Sequence, residues 1–386
     1  MNKERTYSPV ATGLVLALAI LGCEKAADED APPAQPAVDA QMPPTTDGGG
    51  GADDDGGLGE DGRFLPGSMP VVLSNGGYID SPFLNRAGDR FYFIHSIFAP
   101  AVLEGRATPE ACSDLQVPQL PGHVTADLLE WNTDIYYVEW DGERWSEPVN
   151  LGAPINSLGM ECCMWLNADE TEIIFNRVSD LDSDGEDGDV GLPPTGNYIA
   201  TRADRDAPWS DPVPLPDDYG VAGQTLAQYR HDMHKVPSGN LYLWEWFANG
   251  DNLLRFGERT GGTDEAPTYA APVTIPGSTN FETQIWANDA ETRLIYNHRE
   301  ADGETALHTR TRATADDPWG PSVVVETADF ADEMGRTIWG EPSFDHTESF
   351  MMFVRFNSTD YECFQPQIMY SAGTADSGFA PPVVLN

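Results

Sequence analysis

One phrase occurs five times between Asp80 and Phe353, and it constrains the fold more than any other property of this chain. The copies are PFLNRAGDRFYF (Pro82 to Phe93), MWLNADETEIIF (Met164 to Phe175), MHKVPSGNLYL (Met233 to Leu243), IWANDAETRLIY (Ile285 to Tyr296) and PSFDHTESFMMF (Pro342 to Phe353). Each reads as a short apolar stretch, a turn, and a strand ending in an aromatic residue or leucine. The copies end 53 to 82 residues apart, which is one unit carrying variable insertions and has the size of a propeller blade.

Every unit continues in the same order, with a strand such as DIYYVEW (Asp134 to Trp140) and then an outer segment of Trp, Pro and Val. The outer segments start at Trp145, Trp209, Tyr269, Trp319 and Phe379. The alternation in DRFYF and TEIIF, the β-branched and aromatic bias, and Asp, Gly and Asn at the turns favour strands. Proline inside each outer segment suits an edge, which can lose a backbone donor without breaking a ladder. The expected fold is all-β, a five-bladed propeller of four-stranded antiparallel blades occupying residues 65–386. A sixth related piece, Met69 to Asn75, is a candidate closing strand or cap.

The first 22 residues differ in kind: Lys3 and Arg5 precede an apolar run from Val10 to Leu21. That run is too short for a confident membrane span and reads as a secretion signal. Its Leu21-Gly22-Cys23 ending resembles the bacterial lipobox, which implies cleavage before Cys23 and lipidation of its thiol. Glu24 next to it resembles lipoproteins exported onward to the outer membrane, on its periplasmic face or at the cell surface. Residues 23–64 are rich in Pro, Ala, Gly and Asp, cannot bury enough apolar surface to fold, and read as a flexible tether.

Net charge is −42, from 63 acidic and 21 basic residues, and Lys3, Lys25 and Lys235 are the only lysines. Nucleic acid is thereby disfavoured as a partner, because it demands clustered cations. The lipid chain is then the expected link to the membrane, with an envelope protein or polysaccharide as ligand and a closed ring expected to stay monomeric.

In a propeller, first strands begin on the face where second strands end. Counting two residues past each aligned second strand gives His95, Arg177, Glu245, His298 and Arg355, all able to carry charge. Just before the first strands stand Asp80, Glu161, Asp232, Glu282 and Glu341. Such a mouth could bind a polar ligand or do acid/base work if burial separates the pKa values. Taken singly, the acidic positions equally suit loop donors. His231, Asp232, His234 and Lys235 form a further cluster, although residues three apart on a strand face opposite sides.

Between the second and third strands of the second unit, Asp180, Asp182, Asp184, Asp187 and Asp189 have the D-x-D-x-D-G spacing of a calcium loop, or else form a solvated acidic loop. Cys112, Cys162, Cys163 and Cys363 make an even set in an oxidising compartment. A Cys112–Cys363 staple with a vicinal Cys162–Cys163 bridge is one arrangement; each vicinal cysteine pairing with a separate loop is another.

The stretch from Asp134 to Phe175 resembles the WD40-like repeat of TolB-type propellers in bacterial envelope proteins, and the likeness extends loosely over all five units. It implies a binding or scaffold module and names no ligand. The opening GYIDSPFLNRAGDRFYF is similar to that of five-bladed glycosidases of the arabinanase type, which implies Asp80 as base, with Glu161, Asp232, Glu282 or Glu341 supplying the other carboxylates.

Overall fold

The computed structural model describes residues 78–96, 120–122, 133–178, 196–215, 230–246, 251–264, 266–300, 305–325, 339–357, 365–374, 378–380 and 382–384. The expected signal, tether and sixth piece, the acidic loop, and Cys23, Cys112 and Cys363 lie outside these residues. Among the described residues there is no helix, and none long and apolar enough to cross a membrane.

Five antiparallel sheets follow one another along the chain. Blade one contains β1 (Tyr78–Leu84), β2 (Arg90–Ser96), β3 (Asp134–Glu139) and β4 (Val149–Asn150). Blade two contains β5 (Met160–Leu166), β6 (Glu172–Val178), β7 (Gly196–Thr201) and β8 (Val213–Pro214). Blade three is built from β9 (Arg230–Lys235), β10 (Leu241–Trp246) and β11 (Asn252–Gly257), then a separate hairpin of β12 (Arg259–Gly262) and β13 (Pro267–Tyr269), and an outer β14 (Val273–Thr274). Blade four is β15 (Glu282–Ala287), β16 (Arg293–Arg299), β17 (Thr305–Thr311) and β18 (Val323–Val324). Blade five is β19 (Trp339–Phe344), β20 (Phe350–Asn357) and β21 (Gln365–Thr374), with β22 (Gly378–Phe379) and β23 (Val383–Val384) both on β21. The sheets are those of a five-bladed β-propeller, and every expected outer segment forms the edge it was expected to form.

The ring closes through apolar seams. Blades one and two share Tyr92, Ile94, Ile173 and Phe175; blades three and four share Tyr242, Leu254, Ile285 and Tyr296. The last seam returns blade five to blade one through Met352, Ile368 and Tyr370 against Phe91, Phe93 and Tyr136. Inner strands follow the same circuit, β1 against β5, β5 against β9, β9 against β15, β15 against β19, and β19 back against β1.

The seventh residue of each phrase sits in the hairpin turn with φ between 54° and 89°: Gly88, Glu170, Gly239, Glu291 and Glu348. Glycine takes this left-handed conformation freely, whereas a side chain there is strained. The three glutamates use their position to reach the preceding blade. Glu170 accepts from Asn85 Nδ2 (2.7 Å), Arg90 Nη1 (3.2 Å) and the Tyr92 hydroxyl of blade one. Glu291 accepts from Ser238 Oγ (2.7 Å) and the Tyr242 hydroxyl (2.6 Å) of blade three. Glu348 accepts from Asn288 Nδ2 (2.8 Å) and Arg293 Nε (2.7 Å) of blade four.

Candidate functional site: an aromatic rosette beneath an axial cavity

Each inner strand carries the same irregularity, a bulge that shifts its register against the second strand. In four blades one residue of the bulge is left-handed: Ser81 (φ 54°), Cys163 (58°), Gln284 (53°) and Glu341 (50°). An extra residue reverses which side chains face the axis. Immediately beyond it, each strand turns a ring inward: Phe83, Trp165, His234, Trp286 and Phe344, one from each blade. Ring centroids lie 6.4 Å apart for Trp165 and His234, 5.5 Å for His234 and Trp286, and 4.8 Å for Trp286 and Phe344.

Four of these rings, all but Phe344, separate two spaces on the axis. On the bulge side is a void of about 60 Å³ bordered by Ser81, Cys163, Gln284 and Glu341. On the hairpin-turn side is a cavity of about 440 Å³, where Phe344 joins the other four rings. Its rim carries Arg86, Arg202, Lys235 and Arg259 against Asp169, Glu172, Asp264 and Asp289, so the charges balance. Arg86 is paired with Asp289, Lys235 Nζ with Glu172 Oε1 at 2.5 Å, and Arg259 Nη1 with Asp264 Oδ1 at 2.8 Å. Burial pushes the Glu172 carboxyl above its ordinary range, and Lys235 opposes that shift. Burial among the rings lowers the His234 pKa to about 3, although a backbone hydrogen bond at Ala287 works the other way, so His234 is neutral at pH 7.

Of the ionisable residues singled out in the sequence, His234 and Lys235 line this cavity, whereas those at the ends of the first and second strands stand toward the opposite end of the axis and occupy several register positions. Glu161 faces Arg177 and Glu282 faces His298 across the first strand pair, whereas Asp80 is one residue further along and Glu341 sits in the bulge. Glu161 accepts from Arg177 Nε (2.7 Å), Ser157 Oγ (2.5 Å) and Ser157 N (3.1 Å). Burial raises its pKa while Arg177 and Ser157 act to lower it. Glu282 accepts from Arg310 Nη2 (3.2 Å) and from Thr279 N (3.2 Å), and Glu245 from Arg255 Nε (2.9 Å). Asp80 is buried and its Oδ1 accepts from the Ser81 amide. Glu341 exchanges hydrogen bonds with the Gln284 side chain: its amide donates to Oε1 (3.1 Å) and its Oε1 accepts from Nε2 (3.4 Å). His95 is fully buried against Tyr136. The side chains of His231, Asp232 and Arg355 lie outside the described residues, although their backbones are in β9 and β20.

Cys162 and Cys163 are both buried and do not form the vicinal disulfide that was one of the two sequence expectations. The bulge turns them to different surroundings: Cys163 borders the axial void, while Cys162 Sγ lies 4.0 Å from Asn176 Oδ1 on β6.

A second cluster lies on blade four, where His298 of β16 and Glu300, just past its end, meet His308 of β17. Burial lowers the His308 pKa, and His298 adds to that effect while Glu300 opposes it.

No family model and no curated protein matches the chain. Solved propellers resemble it in shape. TolB from Acinetobacter baumannii aligns at 8% identity with a TM-score of 0.42, covering 80% of this chain and 57% of that one, so the chain spans a little over half of that protein. An exo-1,5-alpha-L-arabinanase from a bovine ruminal metagenomic library aligns at 13% identity with a TM-score of 0.46, covering 80% and 97%. The RS223 beta-xylosidase aligns at 10% identity with a TM-score of 0.47, covering 80% and 97%.

The rosette was legible in the sequence and was missed. The second residue of the five phrases reads Phe83, Trp165, His234, Trp286 and Ser343, with Phe344 supplying the fifth ring from the adjacent position. An aromatic column on strands that surround an axis is the signal.

Proposed function

We propose that the protein is an exported, lipid-anchored binding module whose axial cavity holds a neutral saccharide unit of an envelope polysaccharide. The observation that carries this reading is the floor of aromatic rings beneath a rim of balanced charge. Flat rings offer their faces to the apolar side of a sugar, while alternating donors and acceptors on the rim take its hydroxyls. A rim with four cations and four carboxylates has no net preference for an ionised ligand.

Catalysis is less well supported. A glycosidase needs two carboxyl groups facing the sugar, about 5 to 9.5 Å apart, with one kept protonated. Of the rim carboxylates, Glu172, Asp264 and Asp289 are each held by a cation, as are Glu161, Glu245 and Glu282 elsewhere on the inner and second strands.

The test is a screen of neutral oligosaccharides, reading both tryptophan fluorescence and release of reducing ends. Saturable fluorescence change without hydrolysis is expected, weakened in Trp165→Leu and in the rim variant Asp289→Asn. Hydrolysis abolished by Asp80→Asn would replace the binding reading with the glycosidase one, and no saturable binding would remove it. Anchoring is tested separately: Cys23→Ala should move the protein from the membrane fraction to the soluble fraction, and an unchanged membrane fraction would reject the anchor.

A further inference from the structure

We propose that His298, Glu300 and His308 form a transition-metal site of the zinc type at the edge of blade four. Each residue offers one ligand atom, and the three atoms lie within 4.8 Å of one another. His298 and Glu300 are two apart at the end of a strand, a spacing that keeps side chains on one side of a sheet. His308 comes from the neighbouring strand, with its ring centroid 4.6 Å from that of His298. Around a tetrahedral zinc, donors about 2.1 Å from the ion stand about 3.4 Å from each other, so the widest pair closes by at most about 1.4 Å while His308 Nε2 and Glu300 Oε1, now 2.8 Å apart, open by about 0.6 Å. Glu300, 38% exposed and just past the end of β16, is free to make that movement.

The surroundings are those of a supported ligand set. His308 Nδ1 is hydrogen-bonded to Ser322 Oγ (2.8 Å), which also bonds the Tyr296 hydroxyl (2.6 Å). This arrangement directs Nε2, 2.8 Å from Glu300 Oε1, toward the cluster. On metal binding, Nε2 gives its lone pair to the ion and Nδ1–H donates to Ser322, the outer contact that metal-bound histidines generally make. His298 Nδ1 is buried without a hydrogen-bond partner and lies 3.9 Å from Glu282 Oε1, itself held by Arg310. A cluster built only as a hydrogen-bond network would not leave that nitrogen unmatched. Two imidazoles with one carboxylate suit zinc or cobalt rather than calcium, which takes six to eight oxygens. Three protein ligands leave a fourth position for water or an added ligand.

The experiment uses the full chain stripped of metal, titrated with Co²⁺ as a coloured probe and with Zn²⁺ in competition. We expect one equivalent of Co²⁺ to bind with the visible absorption of a tetrahedral nitrogen-ligated ion, and Zn²⁺ to displace it. Glu300→Gln, at a half-buried position, should weaken binding roughly tenfold or more, and Ser322→Ala should weaken it by a similar factor through His308. His298→Ala should abolish the colour while its metal-free form keeps the wild-type circular dichroism. The absence of a tetrahedral spectrum, or an affinity unchanged in both Glu300→Gln and His298→Ala, would overturn the assignment.

Discussion

Replacing Glu291 tests whether the turn glutamates hold neighbouring blades together. Glu291 is 7% exposed, sits at φ 55°, and accepts from Ser238 Oγ, Asn240 Nδ2 and the Tyr242 hydroxyl. Hydrogen bonds to a charged group contribute about 1.5–3 kcal/mol each, so losing the two short ones costs about 3–6 kcal/mol. Part of this is offset in Glu291→Gly, because glycine removes about 1 kcal/mol of left-handed strain. The net loss is then about 2–5 kcal/mol for Gly and about 1 kcal/mol more for Ala, which keeps the strain. In a propeller of this size about 2 °C of melting temperature corresponds to 1 kcal/mol, so Gly should melt about 4–10 °C lower and Ala lower still. Calorimetry reads both, and a cycle with Tyr242→Phe should return a coupling of about 1–2 kcal/mol. The Arg312 guanidinium, 3.2 Å from the Tyr242 oxygen, persists in every variant and keeps the hydroxyl from being wholly orphaned. An alanine variant as stable as the glycine variant would refute the strain argument, and zero coupling would refute the staple.

Three further outcomes follow from the buried charges and the rings. His234 has a folded pKa of about 3. The unfolded chain, with an ordinary histidine pKa, therefore binds a proton below pH 6.5 that the folded protein excludes. Stability from this residue is fully present above pH 6.5 and falls toward pH 3, by up to about 2 kcal/mol at pH 5, less whatever the open cavity beside the ring relieves. His234→Gln, which can still donate to Ala287, should show a shallower loss between pH 7 and 5 in urea titrations; equal slopes would reject the assignment. Lys235→Met leaves Glu172 buried without its cation and should cost about 3–5 kcal/mol at pH 7. Because burial already raises the Glu172 pKa, the folded variant keeps a proton that the unfolded chain releases. Its deficit should grow as pH rises from 4 to 7, and a pH-independent deficit would count against the pairing. For Gly262→Ala, the added Cβ would meet Ala266 O at 2.2 Å and φ is 80°, so the β12–β13 hairpin should open; proteolysis between Arg259 and Tyr269 as slow as in wild type would contradict this.

The fold could be read from the chain because its determinants are local and repeated. Alternation, turn residues and edge prolines recur in each unit, and five repetitions average out the insertions. The site was harder for a physical reason. Aligning the phrases by their second strands identified residues that share a level, such as Glu161 with Arg177 and Glu282 with His298. The bulge at Ser81, Cys163, Gln284 and Glu341 changes the register of each inner strand, and nothing in the alternation of residues announces a left-handed Ser or Cys. Charged positions that looked like a converging mouth thus include ion pairs that neutralise each other inside the ring. The rings at the other end, apolar and apparently ordinary core, border the larger cavity. His298 was chosen for its level in the ring, but Glu300 and His308 join it only through the pairing of β16 with β17, a register that alternation alone does not give.

The unequal turn residues also make the five seams respond unequally to cooling. Glu170, Glu291 and Glu348 tie three seams through their carboxyl groups, and Lys235 with Glu172 ties the seam between blades two and three. At the junction of blade five with blade one the turn position is Gly88, which has no side chain to extend, and the contact there is built on Phe91, Phe93, Met352 and Tyr370. Apolar contact weakens on cooling. Chilling should therefore part the ring first where its two ends meet, before it parts blades already joined by the chain.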